Sequence, residues 1–199
     1  ILEPRAFLDT NVFGVFNLLE AVRKHSIPRM VHISTDEVYG AVMEGESKEG
    51  DAYDPRSPYS ASKAAGDHLC KAYFVTYGTP VIVSNSVNFY GPYQFPEKLI
   101  PLFTINLREG KTVPVYGDGM QVREWIFTED HCRAIDLIAR EGNVGETYNI
   151  GTGYRVPNME VVKKLLELTG RDESAIEYVK DRAGHDRRYA LDSSKLHNE

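Results

Sequence analysis

Residues 57–86, SPYSASKAAGDHLCKAYFVTYGTPVIVSNS, decide the fold. The run from about Tyr59 to Tyr77 predicts a helix, which Gly78 and Pro80 end. VIVSNS, from Val81, is the next strand. Upstream, Phe7, Val12, Phe16, Leu19 and Val22 recur at helical spacing until about His25. Pro28 then breaks the chain before a short apolar run, RMVHIS, which reads as a buried strand. Residues 40 to 58 are polar and carry Gly45, Gly50, Pro55 and Pro58, so they form a loop. The order helix, strand, helix, strand implies an α/β fold, a partial Rossmann-like parallel sheet with helices on both faces.

The second half consists of shorter pieces. Leu99 to Leu107 reads as helix and ends by Gly110; TVPVYG and REWIFT are short strands. Thr128 to Arg140 is a helix with Thr128 as its expected cap and Glu129 and Asp130 in its first turn. ETYNIG is a strand, and Asn158 to Leu168 is another helix. These elements suggest a smaller α/β lobe that grips substrate, with the boundary near Gly91 to Pro96. The chain opens inside or just before a helix and stops at KLHNE with no terminating element. We therefore expect a piece of a longer protein, with an apolar sheet edge exposed, marginal folding and poor dinucleotide binding on its own.

Composition narrows the function classes. The chain has 199 residues, 42% of them apolar and 26% charged, as in a soluble globular protein. No apolar run approaches the ~18 residues of a membrane span, and no signal peptide is visible, so a cytoplasmic protein is expected. The net charge of −6 argues against a nucleic-acid surface. Cys70 and Cys132 are far apart and read as two buried thiols in a reducing compartment. The histidines lack paired metal-ligand spacing, so no metal is assigned.

Four constellations carry chemistry. In YSASK, Tyr59 and Lys63 stand at i and i+4 on one helix face. An adjacent ammonium stabilises a tyrosinate and would lower the Tyr59 pKa, letting it take a proton from a hydroxyl as hydride leaves the carbon. The plain alternative is a surface helix pair. STDEVYG, Ser34 to Gly40, follows a strand end, where open α/β sheets bind ligands. Thr35 can hydrogen-bond a reacting oxygen, and Asp36 and Glu37 can divide acid and base roles; the alternative is a solvated acidic turn. NFYGPYQFPEKLIP, Asn88 to Pro101, is rich in aromatics that can pack on a base or sugar, or is simply a domain linker. Lys98, Arg123, Arg182, His185, Arg187 and Arg188 form a scattered cationic set that suits a diphosphate, or else make exposed salt bridges. None of the 16 glycines falls in GxGxxG or GxxGxxG spacing, so the loop that brings a dinucleotide pyrophosphate to a helix end is not in this sequence.

Taken together, TNVFGVFNLLEA, STDEVYG, SPYSASKAAGDHL, YGPYQFPEKLIP, PVYGDGMQVREW, EDHCRAI, ETYNIG and DRAGHDRRYALD resemble the extended short-chain dehydrogenase/reductase superfamily. Within it they are most similar to the 4,6-dehydratases that act on dTDP-glucose. The resemblance runs along essentially the whole chain. Its YxxxK is shared across the superfamily, whereas Thr35-Asp36-Glu37 is the more specific signature. It implies NAD as cofactor and a nucleotide-diphosphate sugar as substrate. It implies that residues 1–92 are the later part of the NAD-binding Rossmann domain with the catalytic residues, and 93–199 mainly the substrate lobe. Tyr59 with Lys63 would deprotonate the sugar 4-hydroxyl, Thr35 would hold that oxygen, and Asn11 would complete the tetrad. Glu37 would remove the C5 proton and Asp36 protonate the departing 6-hydroxyl. Ser34, Tyr59 and Lys63 would meet the cofactor. Asn88, Lys98, Leu99, Pro114, Tyr116, Arg123, Asn149, Arg182 and His185 would meet the substrate. A homodimer would form through the helices near 5–24 and 59–77.

Departures from the pattern are local. In NSVNFYGP, Asn85, Val87 and Phe89 replace Arg, Ser and Asn, which bears on nearby ligand contacts. REW stands for RDW, and IGTGYRVPN differs from the usual loop after IG, which bears on the nucleotide pocket. The competing readings are a UDP-glucose 4,6-dehydratase, another UDP-sugar epimerase or decarboxylase, and a non-catalytic nucleotide-sugar-binding protein.

Overall fold

A computed structural model describes residues 3–198 of the chain. The outermost residues of the two expected lobes, 1, 2 and 199, lie outside it. Helices α1 (Pro4–Leu8) and α2 (Gly14–Lys24) are joined by a π-helical turn, Asp9–Phe13. Strand β1 (Met30–Ile33) follows, then a short 3-10 turn at Asp36–Tyr39 and the long helix α3 (Pro58–Tyr77). β2 (Val81–Ser86) pairs in parallel with β1, Met30 opposite Val81. This helix–strand alternation over the first 86 residues is the expected one.

Helix α3 forms where its ends are specified. Ser57 and Ser60 make a reciprocal capping box, Pro58 occupies the first turn, and Gly78 closes the helix with φ of +67°. Its buried face is lined by small residues, Ser60, Ser62, Ala64 and Gly66. They let α3 lie close to its neighbours. A Cβ at Gly66 would sit 2.8 Å from the Asn11 carbonyl oxygen and 3.5 Å from Val15. That contact holds the π turn, and Asn11 with it, against α3.

The second half adds β3 (Asn88–Tyr90), α4 (Leu99–Arg108), β4 (Val113–Tyr116), β5 (Val122–Phe127) and α5 (Thr128–Glu141). It continues through β6 (Thr147–Ile150), β7 (Arg155–Pro157), α6 (Asn158–Thr169), β8 (Ile176–Val179) and α7 (Ser194–Asn198). Three sheets result, ordered β1-β2-β6, β3-β5-β7 and β4-β8. β6 joins β2 in parallel, Val83 opposite Thr147, so the chain returns to the first sheet after its long excursion. Ile82, Ile138, Tyr148 and Ile150 fill the core beneath that sheet. Phe103, Leu107, Val113, Val162 and Leu166 fill a separate core between α4, α6 and the β4–β8 pair. No helix among the described residues is long and apolar enough to cross a membrane.

Three local expectations are corrected. Thr128 is not a cap: Phe127 occupies that position, and Thr128 is already helical. Its methyl instead lies where a Cβ on Gly91 would come within 2.6 Å. Cys70 is buried, but Cys132 is exposed on α5. The terminal segment carries a short helix, α7, rather than no element.

Gly66→Ala tests the close approach. We expect it to lower stability by about 1–3 kcal/mol in urea unfolding, the usual cost of overpacking. An unchanged midpoint would show that α3 and the π turn have room to spare.

Candidate active site

The catalytic nominees gather where β1 ends. Thr35, extended, caps the 3-10 turn by accepting the Glu37 N–H at 3.3 Å, and its hydroxyl donates to Asp36 Oδ1 at 3.3 Å. Asp36 is buried, and its Oδ2 has no partner among the described residues. Burial, then the charge of Glu37, pushes its pKa up to about 8, against the opposing Arg123 guanidinium. Burial also raises Glu37, but Arg123, Arg182 and Lys98 all favour its ionised form. Burial raises both carboxyls and Arg123 opposes it at both; Asp36 is the more buried and keeps its proton at pH 7, while Arg182 and Lys98 add to Arg123 at Glu37.

Tyr59 stands at the start of α3 and faces this pair. Burial first, then the charges of Glu37 and Asp36, push its hydroxyl up to about 12, while Thr35 hydrogen-bonds it. The expectation that Lys63 lowers the Tyr59 pKa is not met in this chain alone. The Lys63 ammonium is drawn to the Ile33 carbonyl at 2.5 Å, and burial lowers its own pKa. Asn11 donates to Ser62 Oγ at 2.9 Å, and Ser62 donates to the Tyr59 carbonyl at 2.7 Å. The tetrad nominees Asn11, Thr35, Tyr59 and Lys63 therefore share one corner.

Ser34, nominated for the cofactor, is committed elsewhere. Its hydroxyl donates to Asp67 Oδ2 at 2.8 Å, and the other oxygen of Asp67 lies 3.1 Å from His32 Nε2. Asp67 is buried one turn beyond Lys63 and supplies the counter-charge that opposes its deprotonation. The sequence reading missed it, although i, i+4, i+8 spacing from Tyr59 was a usable signal.

The cationic set divides. Arg123 is buried; it donates to the Val122 carbonyl at 2.8 Å and the Asp186 carbonyl at 2.9 Å, and its guanidinium lies 4.3 Å from the Tyr189 ring centre. Arg182 lies 5.3 Å above the Tyr116 ring, and His185 meets that ring edge-on. Lys98 caps α4, next to half-buried Leu99. Arg187 instead pairs with Asp118, and Arg188 donates to the Val42 and Gly45 carbonyls. Asn88 pairs with Trp125 across β3–β5, and Pro114 lies in β4. In the aromatic stretch, Phe89 stacks on His131 while Tyr93 and Phe95 face solvent.

Asn149 sits in the interior. It is fully buried, its amide donates to the Ser47 and Asp192 carbonyls, and it accepts from the Tyr39 hydroxyl at 3.1 Å. Asn85, one of the departures, is buried beside it and donates to the Tyr39 hydroxyl at 2.9 Å. Glu124, the second departure, is wholly buried: it accepts the Thr152 and Gly153 N–H groups at 2.7 Å and pairs with Arg155 at 2.6 Å. A cavity of about 350 Å³ between α3 and β2–β6 is lined by none of the nominated residues. Among the described residues no group of side chains could hold a metal ion.

A profile of the GDP-mannose 4,6 dehydratase family matches residues 1–199. A dTDP-glucose 4,6-dehydratase of Xanthomonas campestris is 51% identical over 215 residues, covering 98% of this chain and 61% of its own. The low-salt glycan biosynthesis protein Agl12 of Haloferax volcanii is 50% identical over 189 residues, covering 95% of this chain and 61% of its own. Among solved structures, DesIV of Streptomyces venezuelae, a dTDP-glucose 4,6-dehydratase with NAD and TYD bound, superposes with a TM-score of 0.97 at 48% identity. The match covers 98% of this chain and 61% of DesIV. A UDP-glucose 4-epimerase of Thermus thermophilus with NAD gives 0.88 at 31% identity, covering 94% of this chain and 63% of its own. The chain spans about three-fifths of the length of the curated relatives it matches.

Asn149→Ala separates a structural from a ligand role. It should cost about 2 kcal/mol of stability, because the buried groups it satisfies lose their partners. Unchanged stability with weakened nucleotide binding would instead make Asn149 a ligand contact.

Proposed function

The chain belongs to the GDP-mannose 4,6 dehydratase family, and from that premise we propose that it is the catalytic part of an NAD-dependent 4,6-dehydratase acting on dTDP-glucose. The observation that carries this reading is the Asp36–Glu37 pair, one carboxyl held neutral and the other beside Arg123, Arg182 and Lys98. An epimerase needs only the Tyr59 corner. Loss of water needs an additional acid and base, and this pair supplies both.

The residues present fit the nicotinamide end of a dinucleotide. Lys63 spends one donor on Ile33 and keeps two for a ribose diol, and it stands at the carboxyl end of β1, where such ligands bind in open sheets. Ser34 spends its hydroxyl hydrogen on Asp67, so it can meet the cofactor only as an acceptor. NAD, when bound, supplies reversible hydride exchange, taken from C4 and returned to C6.

This chain's residues move the protons. Tyr59 takes the 4-hydroxyl proton with Thr35 bonded to the same oxygen. The resulting C4 ketone acidifies C5. Glu37 removes the C5 proton as carboxylate, and Asp36 gives its proton to the departing 6-hydroxyl. Arg123, fixed by two main-chain carbonyls and the Tyr189 ring, and Arg182 and Lys98 beside it offer charge to the diphosphate. The net change is loss of one water, giving a 4-keto-6-deoxy sugar.

The proposal extends to a cytoplasmic homodimer through the helices near 5–24 and 59–77. Leu8, Phe13, Phe16 and Leu18 on the first segment, and Val75 and Tyr77 on α3, are exposed apolar side chains on those helices.

Incubation with NAD and dTDP-glucose, with UDP-glucose in parallel, tests the reading by mass spectrometry. Loss of one water from dTDP-glucose is expected, and preference for UDP-glucose would reassign the base. Asp36→Asn and Glu37→Gln should each cut product formation by about 10²–10⁴-fold. Glu37→Gln alone should also abolish exchange of the C5 hydrogen with solvent. Epimerised product without water loss would overturn the dehydratase assignment.

A further inference from the structure

Tyr116, Arg182 and His185 form one corner of the second lobe, and a carboxylate stands behind it. The His185 ring is 95% buried, and its Nδ1 lies 2.6 Å from Asp181 Oδ1. That oxygen also accepts the Arg182 main-chain N–H at 2.8 Å, and Oδ2 accepts from Gln121 Nε2 at 2.9 Å. Gly117, with φ of +58°, closes the other side; a Cβ there would come within 3.0 Å of Oδ2. Asp181 is thus held by a side chain, a main-chain group and a close backbone approach.

The chemistry of the two groups fixes the hydrogen between them. The donors around Asp181 keep it below the usual carboxylate range, with His185 first among them, so it is ionised at pH 7. An ionised carboxylate only accepts, so Nδ1 carries the hydrogen. Burial lowers the His185 pKa, against the pull of Asp181, so the neutral ring is favoured. In that form Nε2 has a free lone pair. The bond through Nδ1 is the one hydrogen bond the ring makes among the described residues.

We propose that Asp181 is a positioning residue that locks His185 in its Nδ1–H form, so that Nε2 is presented as a hydrogen-bond acceptor to a hydroxyl of the nucleotide sugar. This rests on the functional reading given above. A lone pair repels phosphate oxygens, and Arg123 and Arg182 already provide cations for those. An acceptor in this cationic corner suits a group that donates, and a sugar offers hydroxyls. Asp181 itself makes no ligand contact; it acts through the imidazole.

Nitrogen-15 NMR of the cofactor-bound protein reads the tautomer directly. The unaltered protein should show His185 protonated at Nδ1. Asp181→Asn should shift the ring toward the Nε2–H form that a neutral imidazole otherwise favours. The same variant should raise KM for the nucleotide sugar about tenfold, the worth of one hydrogen bond, with kcat within about threefold. Gln121→Ala removes a bond to Asp181 but leaves the carboxylate on His185, so its KM should rise less than about threefold and its tautomer should not change. Three results would overturn the proposal: an Nε2–H ring in the unaltered protein, Asp181→Asn lowering kcat with KM unchanged, or Gln121→Ala matching Asp181→Asn. Absence of product from the unaltered protein would remove the functional reading and the hydroxyl contact with it. The NMR result decides the tautomer independently.

Discussion

Two neighbouring carboxyl groups at the end of a parallel strand, Asp36 buried and Glu37 half-buried, resist carrying a charge each. The structure resolves that conflict by placing them differently. Asp36 turns into the protein and keeps its proton, while Glu37 faces Arg123, Arg182 and Lys98. Much of the rest of the fold serves this division. β1 and the short 3-10 turn set the pair at the sheet's carboxyl end, and α3 brings Tyr59 to it. The second lobe returns Arg123 on β5 and the 181–189 segment to the same place. Arg123, fixed by the Val122 and Asp186 carbonyls and the Tyr189 ring, acts on both carboxyls, and at Asp36 burial outweighs it.

The first half of the fold was legible because its signals are local. Pro58, Gly78 and two short apolar runs name β1, α3 and β2 within a residue or two, whereas the single helix expected from Phe7 to His25 is divided by the π turn at Asp9–Phe13. The three-residue strands β3 and β7 were invisible as strands, since each exists only by pairing with β5. β8 was missed for a similar reason: its alternation is weak, and β4 is what makes it a strand. Thr128 is a residue type that suits a cap, but the chain is already helical at Thr128 and Phe127 takes the cap position. Cys132 looked buried because residue type, not helix face, guided the reading.

The site shows the same boundary between local and tertiary information. Thr35, Asp36, Glu37, Tyr59 and Lys63 lie in two short motifs and could be read directly. Ser34 and Asn149 have suitable chemistry, yet Asp67 and the Ser47 and Asp192 carbonyls take up their side chains. No sequence signal distinguishes a polar group spent internally from one that waits for a ligand. The reverse error left out Asp67 and Asp181, which act through neighbours. Two departures from the family pattern turn out to be one feature. Glu124 reaches the main chain of the 151–155 loop, and a Cβ at Gly151 would come within 2.4 Å of its oxygen. The longer carboxylate and the altered loop therefore belong together.

Everything in this account follows from Asp36 being the neutral member of the pair. Difference infrared spectroscopy across a pH titration measures that directly. The account predicts a protonated-carboxyl carbonyl band at pH 7 that vanishes as pH rises through about 8 and is missing in Asp36→Asn. The sign follows from burial: the raised pKa keeps the proton on below that pH and releases it above, so acid catalysis should fade over the same window. A carboxyl that has already ionised by about pH 4, the ordinary aspartate value, or a band that disappears in Glu37→Gln instead, would contradict it.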